Sequence, residues 1–427
     1  MPRLAPAVTL LGINYPPEPT GISPYTGAMA LGLARNERRI EVITAHPHYP
    51  EWKIREGYGQ WSRREHLDGV AVTRLRHYVP TKPTGVRRLL SEMSFGLRLV
   101  GARWRRPDAI VLISPALFSS AFAALRARIF HRRTPVVVWV QDLYTLGLSE
   151  TGQGSGLTGR VIRVVEGWLL RRADRVVVIH ERFARRVSQD FSIPRDRIEV
   201  VRNWTHLPPM PVVDREAARR ALGWGDETVV LHAGNMGVKQ GLENVLAAAR
   251  LADKSGARIR FVLMGNGGEK ARLSKEGTGI GALQFLPPLP GDEFAQALVA
   301  ADVLLVNEKP GVSEMAVPSK LTSYFSTGRP VLAATDETGI TAEEVTTAAA
   351  GVVVPAGDPS QLLESALALG ADEARCTELG ANGLTYRNTV LDETFAINRF
   401  ATLLSLLIDG DGSHQSATHQ RPSKTSI

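Results

Sequence analysis

Short β-branched runs that stop at Gly, Asn or Ser alternate with longer helical patterns, and the alternation occurs twice along the chain. A strand followed by a helix-length segment and another strand must cross over to pair in parallel, so the pattern specifies parallel sheets covered by helices. In the first half the strands fall at 8–13, 40–45, 109–114, 136–140, 175–179 and 198–201. Pro208-Pro209-Met210-Pro211 then favours extended backbone that neither neighbour can continue, which marks a linker. The pattern restarts with strands at 229–233, 259–264, 303–307, 331–334 and 351–354. The expected class is therefore α/β, with two doubly wound Rossmann-like domains at 1–205 and 206–389. Apolar residues at helical spacing over 391–407 predict a last helix at 390–408, and the polar stretch 409–427 predicts a disordered tail.

A length of 427 residues suits two such domains of about 200 residues each. The single cysteine, Cys376, cannot form an internal disulfide, and no basic-then-apolar signal pattern precedes the first apolar run, so the expected setting is cytoplasmic. No apolar stretch approaches the ~18 to 20 residues of a spanning helix. The net charge of +8 hides an asymmetry: residues 1–205 carry 32 Lys and Arg against 17 Asp and Glu, and residues 206–427 carry 19 against 26. A basic first half calls for an anionic partner, nucleic acid or a phospholipid surface. No nucleic-acid module is recognisable, so nucleic acid is not expected. Residues 85–106 interleave Arg87, Arg88, Arg98, Arg103, Arg105 and Arg106 with Leu89, Leu90, Met93, Phe95, Leu97, Leu99 and Trp104. Such a segment either packs on its own domain or lies peripherally on a membrane face rich in anionic lipid.

In open α/β sheets ligands sit at the carboxyl ends of strands, where helix N-termini offer N–H groups to phosphates. The second half has three suitable strand ends. One is Gly234-Asn235-Met236-Gly237-Val238-Lys239-Gln240-Gly241, where small residues allow close backbone approach and Lys239 adds a cation. The others are Gly265-Asn266-Gly267-Gly268, and Pro318-Ser319-Lys320 opening a helix that carries Ser323. Each alone is ordinary turn chemistry; together they suggest a diphosphate site.

These residues, with Ala301-Asp302-Val303 and Gly328-Arg329-Pro330-Val331, resemble family 4 of the retaining glycosyltransferases with the GT-B fold. Gly12 to Ile22, Tyr49-Pro50-Glu51-Trp52, Gln141-Asp142, Asn203-Trp204 and Lys239 to Asn244 extend the likeness to residues 8–405, within a branch that serves surface polysaccharide assembly. The resemblance implies two domains facing across a cleft, the first one completed by the last helix. It also implies a nucleotide-sugar donor in the second domain, bound by Gly234, Asn235, Gly237, Lys239, Gly265, Gly267, Pro318, Ser319, Lys320 and Ser323, with its diphosphate at Lys239 and the amides after Pro318, and Lys320 nearby. Fixed cations and dipoles would then stabilise the leaving group, so that no metal cofactor is expected. The loop at Thr20 and Gly21 would line the acceptor side. The acceptor implied by that branch is a polyprenyl-diphosphate-linked sugar at the inner face of the cytoplasmic membrane.

The chain departs from the commonest family pattern. Met315 and Ser323 stand where many members have two Glu, Asn235 where many have Arg, and Gln141 where many have His. Catalytic candidates are therefore Lys239, Lys320 and Asp142, the last at a strand end where a carboxylate can orient a hydroxyl or accept its proton. His46-Pro47-His48 has a spacing metals can use, but no carboxylate cluster accompanies it, and Asp409-Gly410-Asp411 matches Asp-x-Asp only in the tail. Two other readings keep this fold: a nucleotide-sugar epimerase, and a non-catalytic nucleotide-sugar-binding protein of an assembly complex.

Overall fold

The computed structural model describes residues 5–19, 21–82, 85–146, 156–204, 210, 213–312 and 319–416, without the side chains of 319 and 411–416. The chain divides into two units, Met1–Asn203 with Glu393–Ile427, and Trp204–Asp392.

The first unit runs β1 (Ala7–Leu11), α1 (Ser23–Arg35), β2 (Arg39–Ala45), β3 (Ser62–Leu67), β4 (Val70–Leu75), α2 (Gly85–Gly101) and β5 (Ala109–Ser114). It continues with α3 (Leu117–Phe130), β6 (Val136–Val140), α4 (Leu157–Arg172), β7 (Arg175–Val178), α5 (Glu181–Phe191) and β8 (Ile198–Val200). Its sheet has the order β3-β4-β2-β1-β5-β6-β7-β8. The central strands β1, β5 and β6 are buried along their whole length, as the uninterrupted apolar runs in Ala109–Ser114 and Val136–Val140 require of parallel strands covered on both faces. The hairpin β3 and β4 was not anticipated. Ser-Arg-Arg-Glu-His-Leu reads as a polar loop, and it holds as a strand because it lies antiparallel at the sheet edge, where charged side chains also discourage further pairing.

The second unit runs α6 (Arg215–Ala221), β9 (Thr228–Asn235), α7 (Glu243–Ser255), β10 (Ile259–Asn266), α8 (Lys270–Glu276), β11 (Leu283–Leu286) and α9 (Gly291–Ala300). After these come β12 (Val303–Asn307), α10 (Ser319–Phe325), β13 (Val331–Thr335), α11 (Ile340–Thr347), β14 (Gly351–Pro355), α12 (Pro359–Ala371) and α13 (Glu373–Thr389). All strands are parallel in the order β11-β10-β9-β12-β13-β14. Edge strand β11 also went unforeseen, being only four half-buried residues.

One device sets the register in both units. An aspartate just before a strand accepts from an amide in the first two residues of the neighbouring strand: Asp108 from Ala7, Asp174 from Val136 and Asp302 from Val229, at 2.7 to 2.8 Å. Asp302 also takes Arg219 at 2.9 Å and pairs with Arg215. The Ala301-Asp302-Val303 motif is thereby accounted for as structure.

The closing helix, α14 (Glu393–Ser416), belongs to the first unit. Phe400 meets Trp139 edge to face at a centroid distance of 5.5 Å, and Gly32 of α1 lets Ile397 approach so closely that a Cβ there would stand 2.5 Å from its Cδ1. The sequence reading ended this helix at 408 and expected disorder from 409. The helix instead continues through Ser416, so Asp409-Gly410-Asp411 is helical, because adding a turn to a formed helix needs no apolar face and no proline intervenes before Pro422. Residues 417–427 lie outside the described residues.

Candidate active site

In the second unit the turn after β9 is fixed from two sides. Nδ2 of Asn307, at the end of β12, donates to the carbonyls of Gln240 and Gly241 at 2.8 and 3.0 Å, and the Lys309 amide donates to the Lys239 carbonyl at 2.8 Å. The Gly237 amide and the Asn235 side chain both donate to Oε1 of Gln240. Lys239 therefore sits on a rigid turn, Val238–Gln240.

Lys320 reaches this strand end from the first turn of α10. The helix is pinned by Tyr324, one turn further on, whose hydroxyl accepts from the Ala233 amide at 2.9 Å. The result is that Nζ of Lys320 lies 3.4 Å from Nε2 of His232, and Cε and Nζ of Lys320 are what a Cβ at Gly234 would meet, both at 3.8 Å. Burial drives the Lys320 ammonium down from its ordinary value to about 8, against the pull of the Glu308 carboxylate. The residue as a whole keeps some exposed surface. His232 is fully buried, and burial and then Lys320 hold it well below the usual imidazole range, so it is neutral. Glu308 accepts from the hydroxyls of Thr335 and Thr341, yet burial still raises its carboxyl.

Gly234 and Gly265 pair across β9 and β10 with φ of 132° and 142°. A Cβ at Gly265 would fall 1.9 Å from the Gly234 carbonyl oxygen, and one at Gly267 2.4 Å from that of Met236. Close strand approach alone thus demands these glycines. Gly234, Asn235, Gly265 and Lys320 are brought together at the strand ends, with Gly237 and Lys239 on the adjoining turn. Half-buried Ser323 follows Lys320 on α10. Met315, Pro318 and Thr20 lie outside the described residues, and of Ser319 only the backbone is described. Glu308, His232 and Lys309 were missed by sequence reasoning. Glu308 directly follows Asn307 at a strand end, the one signal that would have found it.

In the first unit a cavity of about 250 Å³ opens at the carboxyl ends of β1 and β6, lined among others by Asn14, Gly21, His48, Arg88, Glu92 and Asp142. Gly21 has φ of 69° and faces the Tyr49 ring. Glu18 ties two loops of the rim, accepting from Asn14 Nδ2 and from the His48 and Tyr49 amides at 2.8 to 2.9 Å. Behind the lining residue Tyr144, Glu166 accepts from the Tyr144 and Thr145 amides and the Thr145 hydroxyl, fixing the loop that carries Asp142. The Tyr144 hydroxyl donates to Glu92, whose carboxyl is raised by burial despite Tyr144 and Arg88 beside it. Gln141 and Asn203, apart in sequence, are joined at 2.8 Å. His46 and His48 direct ring nitrogens at the backbone carbonyls of Gln60 and His46. Among the described residues no group of three or more His, Cys, Asp or Glu is placed to hold a metal ion.

The two halves match separate family patterns, a Glycosyl transferase 4-like domain over residues 20–204 and Glycosyl transferases group 1 over 227–372. The colanic acid biosynthesis glycosyl transferase WcaI of Escherichia coli is 34% identical over 338 residues, 75% of this chain and 81% of that protein. The chain belongs to the family 4 glycosyltransferases. Among solved structures, sucrose-phosphate synthase from Thermosynechococcus elongatus superposes with a TM-score of 0.69 at 16% identity over 95% of this chain and all of that one. Anabaena HepE in complex with UDP gives 0.67 at 16% identity, over 93% and 99%. Both place the glycosyltransferase in the GT-B fold. No helix of its described residues is long and apolar enough to cross a membrane.

Proposed function

We propose that this glycosyltransferase takes a sugar from a UDP- or GDP-sugar and adds it to a polyprenyl-diphosphate-linked oligosaccharide during exopolysaccharide or surface polysaccharide synthesis. The carrying observation is Lys320: a buried ammonium at a strand end, beside Gly234 and a neutral His232, is a fixed positive charge aimed where a diphosphate docks. Lys239 and the α10 amides supply further charge, so departure of the nucleoside diphosphate proceeds without a metal. The transfer is read as retaining, through a same-face route with no side-chain nucleophile. Asp142 orients the acceptor hydroxyl in the first-unit cavity and takes its proton. UDP and UDP-glucose bound in Anabaena HepE support this donor class, and the colanic acid biosynthesis role of WcaI supports the polysaccharide setting.

The setting is the cytoplasmic side of the membrane, held peripherally through α2. Val86, Leu90, Leu97 and Val100 of this helix are exposed among its arginines, as an interfacial helix requires. Thermal shift with UDP, GDP and their sugars, with and without EDTA, tests the donor reading. A stabilisation that survives EDTA and vanishes in Lys320→Ala is expected; one abolished by EDTA alone, or retained in full by the variant, overturns it. Flotation with phosphatidylglycerol vesicles, weakened in Leu90→Glu/Leu97→Glu, tests the membrane reading.

A further inference from the structure

A second and larger concavity, about 1040 Å³, lies on the opposite edge of the first sheet, at the amino ends of β6 and β7. The length of β6 separates the two edges, about 17 Å for five residues. Seven arginines line it against one carboxylate, Asp174. Three of the seven have structural work. Arg128 donates to the Arg172 carbonyl and to Asp174, Arg197 donates to the Arg171 and Ala173 carbonyls, and Arg171 reaches the Phe191 carbonyl at 3.4 Å. Arg128 and Arg197 satisfy the carbonyl end of α4 and Arg171 that of α5, where basic residues are expected. Arg175 spends one nitrogen on the Asp174 carbonyl.

Arg132, Arg133 and Arg172 have no such occupation. Their guanidiniums make no hydrogen bond or ion pair to any described residue, and Arg172 only stands over the Trp168 ring at 5.9 Å. So many like charges around one hollow repel each other, and an anion in it removes that cost. Guanidinium forks match phosphoryl oxygens two at a time. Leu406, Leu407 and Pro135 add an apolar wall, and the lining contains no aromatic ring on which a nucleobase of a single strand would stack. The volume is at the upper end of the ~300 to 1,000 Å³ of small-molecule sites.

We propose that this arginine-lined hollow is an anion site, distinct from the sugar-transfer site, for a ligand carrying at least two phosphoryl groups. That chemistry is shared by soluble polyphosphates and phospholipid headgroups. The test titrates inorganic tripolyphosphate into the full-length protein by calorimetry at low ionic strength. Saturable binding is expected, weakened about tenfold or more in Arg132→Ala/Arg133→Ala/Arg172→Ala, as loss of charge-assisted contacts implies. All three positions are exposed, so the fold should hold, and an unchanged melting temperature checks it. Arg55→Ala/Arg64→Ala/Arg103→Ala removes the same charge elsewhere in the unit and should bind as the parent does. Phosphatidylglycerol vesicles distinguish the sources. Flotation reduced by tripolyphosphate in the parent, but not in the hollow variant, assigns a headgroup; tripolyphosphate binding without that competition assigns a soluble ligand. Absence of saturable binding, equal weakening in both variants, or an oligoribonucleotide that binds through the hollow and resists displacement by tripolyphosphate would overturn the proposal.

Discussion

Lys320 gives the donor reading its most quantitative handle, because a lysine held near pH 8 is only partly charged in the range where enzymes are assayed. A diphosphate arriving beside it favours the ammonium, so donor binding must draw a proton from solution whenever free Lys320 is neutral. With the free value at about 8, uptake on binding UDP is about 0.1 proton at pH 7, about 0.5 at pH 8 and about 0.9 at pH 9. The affinity falls in step, approaching about tenfold per pH unit above pH 8. Calorimetric titration of UDP in two buffers of different ionisation enthalpy reads the uptake directly. In Lys320→Met the pH-dependent uptake disappears, and about 1.5 to 3 kcal/mol of charge-assisted bonding is lost, roughly ten- to a hundredfold in Kd. Equal heats in both buffers at pH 8 and 9 for the parent protein would refute the reasoning, as would uptake that persists in the Lys320→Met variant. Glu308→Gln checks the partner: without that carboxylate Lys320 falls further, and the uptake curve moves to lower pH.

The same lysine shapes stability without ligand. Its folded value lies below its unfolded one, so between about pH 8 and 10.5 the unfolded chain holds a proton the folded one has lost, and stability contributed by this site rises with pH across that window. The full shift corresponds to about 3 kcal/mol, about 2 after allowing for the exposed part of the residue; urea unfolding of Lys320→Met should lack the rise seen in the parent. Gly265→Ala forces a Cβ to within 1.9 Å of the Gly234 carbonyl at a φ of 142°, and should cost about 3 kcal/mol or more, whereas Gly268→Ala, which meets nothing within 4 Å, should be nearly neutral in the same unfolding assay. Tyr144→Phe strips buried Glu92 of its hydroxyl donor and should cost about 1 to 3 kcal/mol, while Glu92→Gln/Tyr144→Phe together should cost less than the sum of the two single changes.

The central strands could be read from the chain because residues buried on both faces write long apolar runs. Val136–Val140 and Val303–Asn307 are such strands, and their ends locate the first unit's cavity and the second unit's lysine cluster, each within its own unit. Strands β3 and β11 could not, since an edge strand meets water on one side and owes its existence to a neighbour far off in sequence. The candidate residues of each unit divide in the same way. Lys320 and the glycines sit in local motifs, but Glu308 depends on Thr335 and Thr341 for its environment, and Glu92 on Tyr144, fifty-two positions away in sequence. Those pairings are made by the packing of separate elements, which no short spacing encodes.

That division also ranks the motif residues as witnesses to function. Gly265 and Gly267 are compelled by the approach of backbone to backbone, and Asp302 by the Val229 amide near the start of β9, so each would be required in this sheet whatever it bound. Lys320 is compelled by no such backbone contact, its charge partner in the sheet being the Glu308 carboxylate. Tyr324 already anchors its helix, an apolar side chain would fill the space beside His232 without the cost of burying an ammonium, and the protein carries that cost in a depressed lysine. Of these residues it is therefore the ammonium of Lys320, set beside Glu308 at the strand ends of Gly234 and Gly265, that the proposed diphosphate donor would account for.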